Sequence, residues 1–236
     1  MLTLQPIDYI GSPPRKTRKG KGPRNLLGGW VLLLLALAIG GYFVHPLLPF
    51  LKAQQSHPSA SNARQTISEL KASGEFSRKL AAAALERTSQ EVQYDPGYYS
   101  LKYPGGDLPP GKGTSPDLVV RSYRALGIDL QQLVHEDMRE HFRIYPQLWE
   151  LKQPDHSIDH RRVPNLQRFF SRFGTELPAS QSGGDYRYGD VVTWRLPFAS
   201  EDQAATHIGI VVPGPGARKD EKWVVHNIGS GPEWED

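Results

Sequence analysis

Apolar and polar positions divide the chain into one unbroken apolar run followed by segments of two periodicities. Leu26 to Val44 holds no charged side chain, and nineteen residues of helix rise about 28 Å, close to the hydrocarbon thickness of a bilayer. From about 63 to 92 good helix formers dominate, among them Leu80-Ala81-Ala82-Ala83-Ala84-Leu85, with Gly74 as a break. Tyr94 to Gly113, rich in Pro and Gly, reads as a loop. A helix then follows Thr114, with Ser115 as its N-cap, Pro116 in first position, Asp117 against the dipole and Gly127 as the stop. Residues 129–142 set Leu130, Leu133, Val134 and Met138 on one helical face. Residues 164–173 form a further helix that buries Leu166, Phe169, Phe170 and Phe173, and Gly174 ends it. Beyond it the pattern turns β-branched, in Val191-Val192-Thr193-Trp194, His207 to Val212, and Trp223 to His226. The fold class is therefore α+β, helices packed on a small antiparallel sheet.

The segment from Pro213 through Asp220 cannot continue a strand, so the two histidine-bearing runs form a hairpin. Pairing Val212 with Glu221 sets His207 opposite His226, on one face and fit for a shared proton-handling site; the bland alternative is that they only cap strand ends. Gly209, on the same face, gives the Ser115 helix room to approach. Ser115 has two readings. Capping alone accounts for it, yet a hydroxyl beside the free N–H groups of a helix N-terminus is also where acyl-transfer nucleophiles sit. Asp137 and His141, one turn apart within the apolar stripe, read as a structural pair or an acid/base dyad. The loop from Asp155 to Arg162 matches no metal framework, and its Arg161 and Arg162 either grip a ligand carboxylate or bridge to Asp155 and Asp159.

Charge is unevenly spread. Residues 1–24 contain six Lys or Arg against Asp8, so this tail carries +5 of a chain total of +3 and the rest is net −2. The basic character belongs to the tail, and the folded part offers no reason to expect a nucleic-acid partner. Cations before Leu26, with Lys52 nearly alone after it, orient the span with its N-terminus inside. No Ala-x-Ala site follows closely, which favours an uncleaved anchor over a signal peptide. The organisation is a basic tail (1–24), a transmembrane anchor (25–51), a linker (52–62) and one domain (63–236). Cysteine is absent, which excludes disulfides, cysteine-ligated zinc and a thiol nucleophile.

A helix N-terminus carrying a nucleophile, a strand opening His207-Ile208-Gly209-Ile210 and a strand ending Val225-His226 resemble the NlpC-type, papain-like cell-wall peptidases. More closely, Tyr94-Asp95-Pro96, Leu133-Val134-His135-Glu136-Asp137-Met138, Ile158-Asp159-His160-Arg161-Arg162-Val163-Pro164-Asn165-Leu166 and Val225-His226-Asn227-Ile228-Gly229 are similar to domain-of-unknown-function family 1287. The likeness covers about residues 75–236 and implies a papain-like domain in the bacterial periplasm, anchored in the inner membrane and acting on peptidoglycan stem peptides. Carried over by position, Ser115 is the nucleophile, His207 the base and His226 the orienting residue. Arg161, Arg162 and Asn227 are expected to contact substrate, with no metal and no cofactor expected. The family's usual nucleophile is Cys, so Ser115 departs from it, and a serine must lose its proton to His207 during attack. The family also runs on past Gly231, so an end at Glu235-Asp236 is expected to leave a sheet edge unpaired.

Two functions remain: an amide hydrolase of cell-wall peptide, with an oxyanion hole built from the N–H groups after Ser115, or a pseudoenzyme that binds wall peptide or a protein partner through the same cleft. Either requires export. A reporter active only in the periplasm, fused after residue 60, is expected to give signal; a fusion active only in the cytoplasm would remove both readings.

Overall fold

The computed structural model describes residues 33, 34, 37, 60–196, 206–216 and 221–236. Leu33, Leu34 and Leu37 are helical and exposed; the rest of the predicted span at 26–44, and the whole basic tail, lie outside the described residues. Among the described residues no helix is long and apolar enough to cross a membrane.

Five helices and two sheets follow: α1 (Ala60–Ala72), α2 (Phe76–Arg87), a short parallel pair β1 (Gln93–Tyr94) and β2 (Lys112–Gly113), α3 (Ser115–Arg124), α4 (Leu130–His141), α5 (Val163–Phe173), and strands β3 (Val191–Trp194), β4 (His207–Pro213), β5 (Lys222–Ile228) and β6 (Gly231–Glu235). The larger sheet is antiparallel in the order β3-β4-β5-β6. The expected α+β class and the break at Gly74 are present, between α1 and α2.

The alanine run explains itself in α2. Leu80 through Leu85 are all buried, because α2 touches α1 and α3 as well as β4, and small side chains let a helix be covered on every side. Helix α3 packs in turn on β4 and β5, with Leu118, Val119 and Val120 against Ile208, Ile210 and Val225 in one core. Amphipathic patterning overreached at two edges: Leu133 is 42% exposed on α4 and Phe173 64% exposed at the end of α5. The sheet gains a fourth strand that the pattern did not disclose. Gly231–Glu235 pairs with β5, Val225 opposite Trp234, so β5 is covered and β6 itself is the outer strand. Pro232, at its second position, sits where an edge strand tolerates a proline.

Polar pairs bind helices and loops. Asp137 accepts two bonds from Arg172 (both 2.9 Å) and one from the Tyr145 hydroxyl (2.5 Å), with His141 3.2 Å away. Burial would raise its pKa, but these partners hold it below the usual range, the behaviour of a structural anion. His160 is 2% exposed with Nδ1 unpartnered, and burial lowers its pKa to about 4 against the opposing pull of Asp117.

The sign of that shift sets a pH dependence. An unfolded histidine takes a proton near pH 6.5, whereas folded His160 does so near 4, so its stabilising contribution is full above about pH 6.5 and is lost as pH falls toward 4. The urea midpoint is expected to drop across this window and to drop less in His160→Gln. An unchanged slope in the variant would place the acid sensitivity elsewhere.

Candidate active site

Helix α3 begins one residue earlier than its sequence suggests. Thr114, not Ser115, is the N-cap: its backbone N–H and its hydroxyl both donate to Asp117 Oδ2, at 2.7 and 2.8 Å. Ser115 is thereby released from capping. It occupies the first helical position, is 3% exposed, and among the described residues its hydroxyl makes no hydrogen bond. Together with Thr206, the residue before His207, it lines a cleft of about 520 Å³ with Tyr94, Pro96, Trp149 and Arg162. The oxyanion donors expected after Ser115 are not supplied. Pro116 has no N–H, the capping box gives that of Asp117 to the Thr114 side chain, and that of Leu118 donates to Thr114 O, which leaves the N–H of Ser115 itself.

The hairpin register differs from expectation by two residues. Ile210 lies opposite Val225 and Val212 opposite Trp223, which brings His226 level with Gly209 rather than His207. An even slip keeps every side chain on its face. The imidazoles therefore still meet, diagonally, with His207 Nε2 and His226 Nδ1 3.0 Å apart. Gly209 serves this crossing and not, as expected, the approach of α3: a Cβ there would stand 2.5 Å from Val224 Cγ1 and 3.2 Å from His226 Cβ. The diagonal continues to β6, where Glu235 lies opposite Val224 and its Oε1 is 2.6 Å from His226 Nε2. Trp194, directly across from His207, closes the face, its ring 4.7 Å from His207 and 5.4 Å from His226 in edge contact.

This row has a defined proton order. Glu235, held below the usual carboxylate range first by its bond to His226, can only accept, so His226 Nε2 donates to it. With its Nε2 proton given to Glu235, His226 accepts at Nδ1 from His207 Nε2 in the tautomer that leaves His207 Nδ1 as the basic atom. Desolvation, then the neighbouring His226, lowers the His207 pKa to about 4 with Glu235 opposing, so at neutral pH the ring is an unprotonated acceptor. Glu235 was missed from the sequence because its strand was.

The remaining candidates separate. Arg161, 7% exposed, spends its fork on the protein: Nε and Nη2 reach Asp117 at 2.9 and 3.3 Å, Nη1 donates to Gly97 O and Nη2 to Asp95 O. Arg162 bridges neither Asp155 nor Asp159; it lies over Trp149, 4.0 Å from the ring centre, and lines the cleft. Asn227, on the other face of β5 from His226, is 1% exposed and does not line the cleft. Asp159 is fully buried and holds His135 Nδ1 at 3.0 Å.

If the two rings share the contact described, His226→Gln removes the neighbouring imidazole that opposes protonation of His207. The His207 titration, followed by NMR, is expected to move upward from about 4. An unmoved curve would mean that the rings do not interact.

Comparison with known proteins places this arrangement in a group of proteins. The family described as a domain of unknown function (DUF1287) matches residues 81–236. The uncharacterized protein YijF of Escherichia coli (strain K12) is 44% identical over 191 residues, 80% of this chain and 89% of that protein. No solved structure matches. The family match takes in α3, the loop of Arg161 and Arg162, and the whole His207–His226–Glu235 row, and on it the chain belongs to the DUF1287 family.

Proposed function

We propose that this protein hydrolyses an amide of peptidoglycan stem peptide in the bacterial periplasm, held at the inner membrane by residues 26–44, and that its domain is a papain-like relative of the NlpC-type peptidases. The observation that carries the reading is the buried row His207–His226–Glu235 on β4 to β6, together with a serine free of capping duty at the first position of the helix that packs on β4 and β5. Ser115 Oγ attacks the carbonyl carbon while His207 Nδ1 takes its proton. His226, bonded at both nitrogens, holds the His207 ring and spreads the positive charge toward Glu235. The N–H of Ser115 faces the developing oxyanion, and His207 returns the proton to the leaving amine. Water then repeats the sequence on the acyl-enzyme.

One observation favours a second reading, a binding module descended from an enzyme: the Ser115 hydroxyl makes no hydrogen bond among the described residues, where a working serine nucleophile is expected to reach its base. A single pair of variants separates the two. Hydrolysis of purified muropeptides by the parent is expected to be weak, Ser115→Ala to abolish it and Ser115→Cys to raise it well above the parent, since a thiol gives up its proton several pKa units more readily. Loss of the hydroxyl at the first helical position costs little stability, as Thr114 carries the cap. No cleavage by either Ser or Cys at 115, with wall peptide still bound, would leave the binding module.

A further inference from the structure

Two adjacent arginines leave the loop after Ser157 in opposite directions. Arg161 turns inward and is fully engaged by Asp117 and two backbone carbonyls. Arg162, in extended backbone, turns into the Ser115 cleft, and among the described residues its guanidinium has no hydrogen bond and no ion pair. Its Nη1 is buried and without a partner. The nearby carboxylates act on it only at a distance and make no hydrogen bond to it: Asp155 accepts from the Tyr98 hydroxyl and the Ser157 N–H, and Asp159 Oδ2 faces His135 while its Oδ1 has no partner.

A half-buried guanidinium stripped of part of its water and given no direct ion pair is costly, and burial depresses its pKa more than Asp159 and Asp155 raise it. Stacking on Trp149 at 4.0 Å recovers a portion of that cost and fixes the plane of the fork. What remains is a planar donor set open to a planar acceptor, beside exposed apolar surface from Leu148 and Tyr94. One unpaired cation among several aspartates suits a monoanion better than a phosphate.

We propose that the Ser115 cleft recognises its substrate through a free carboxylate seated on Arg162, so that the peptide cut is acidic and carries this carboxylate near the amide offered to Ser115. The inference rests on the proposed reaction for the word "cut" but not for the binding. The cleft, at about 520 Å³, is of a size to take a short peptide with both features at once.

The test is equilibrium binding to the purified full chain by calorimetry, with the tripeptide Ala-Glu-Ala as probe, alongside its C-terminal amide, its Gln analogue and the doubly neutral peptide. The acidic probe is expected to bind at least tenfold more tightly than the doubly neutral one. Arg162→Gln should erase that difference, and Arg162→Lys should restore only part of it, because an ammonium neither stacks nor binds bidentately. Whichever single neutralisation reproduces the loss identifies the carboxylate as the terminal or the side-chain one. Thermal melting of both variants should match the parent, and the neutral peptide should bind all three alike, which separates a lost contact from a lost fold. Equal binding of acidic and neutral peptides, binding indifferent to Arg162, no binding of any probe, or displacement by inorganic phosphate at the peptide's own concentration would each overturn the proposal. Cleavage that ignores carboxylate and Arg162 overturns it while sparing the reaction; carboxylate binding without cleavage spares it and overturns the reaction.

Discussion

The buried Asp117–Arg161 pair is the contact on which the site depends. One carboxylate takes the N–H and hydroxyl of Thr114 and the fork of Arg161, and that same fork reaches the carbonyls of Asp95 and Gly97. Three segments distant in sequence, the irregular loop after β1, the start of α3 and the loop before α5, are thereby joined around one negative charge. A buried ion pair earns little stability against an apolar replacement, but removing one partner leaves an unpaired buried charge at a cost of about 3–5 kcal/mol. Such a pair acts mainly to specify geometry. It sets the first turn of α3 in the cleft and leaves Arg162, the next residue along, pointing the other way.

The second constraint is the antiparallel sheet. Directly opposed residues on neighbouring strands would crowd two imidazoles and a carboxylate, whereas a diagonal across three strands spaces them at hydrogen-bonding reach of long side chains. Gly209 makes the diagonal possible by leaving room level with His226, and Trp194 keeps water from its end. Strand β6 then has a chemical purpose as well as a structural one, since it delivers Glu235.

How far the sequence could be read follows from where the information lies. Periodicity is local, so the helices, the break at Gly74 and three of the four strands were legible. The Thr114 cap was not, because Thr and Ser are both good caps and the choice is made by Asp117, which Arg161 orients from far along the chain. The meeting of His207 and His226 was legible although their register was not, since face depends only on parity while register depends on the turn. Glu235 was hidden because Gly231–Glu235, with Gly and Pro at its start and two glutamates after, shows no β-branched run and forms a strand only through pairing with β5. The separate fates of Arg161 and Arg162 carry no sequence signal at all, as both are arginines in one loop.

The serine at 115 and the state of His207 are physically consistent with each other. A cysteine site of this type works from a thiolate and a protonated imidazole, an arrangement that needs a histidine willing to hold a proton at rest. His207, buried and beside a second imidazole, holds none at neutral pH. Such a ring is a general base for a nucleophile that is itself neutral at rest, a hydroxyl or an unionised thiol, and takes its proton only as the bond forms, the thiol giving it up the more readily. Glu235 enters at that moment and not before: the charge that reaches His207 in the transition state has His226 and a carboxylate behind it, so burial that disfavours the resting cation is offset only when the reaction creates it.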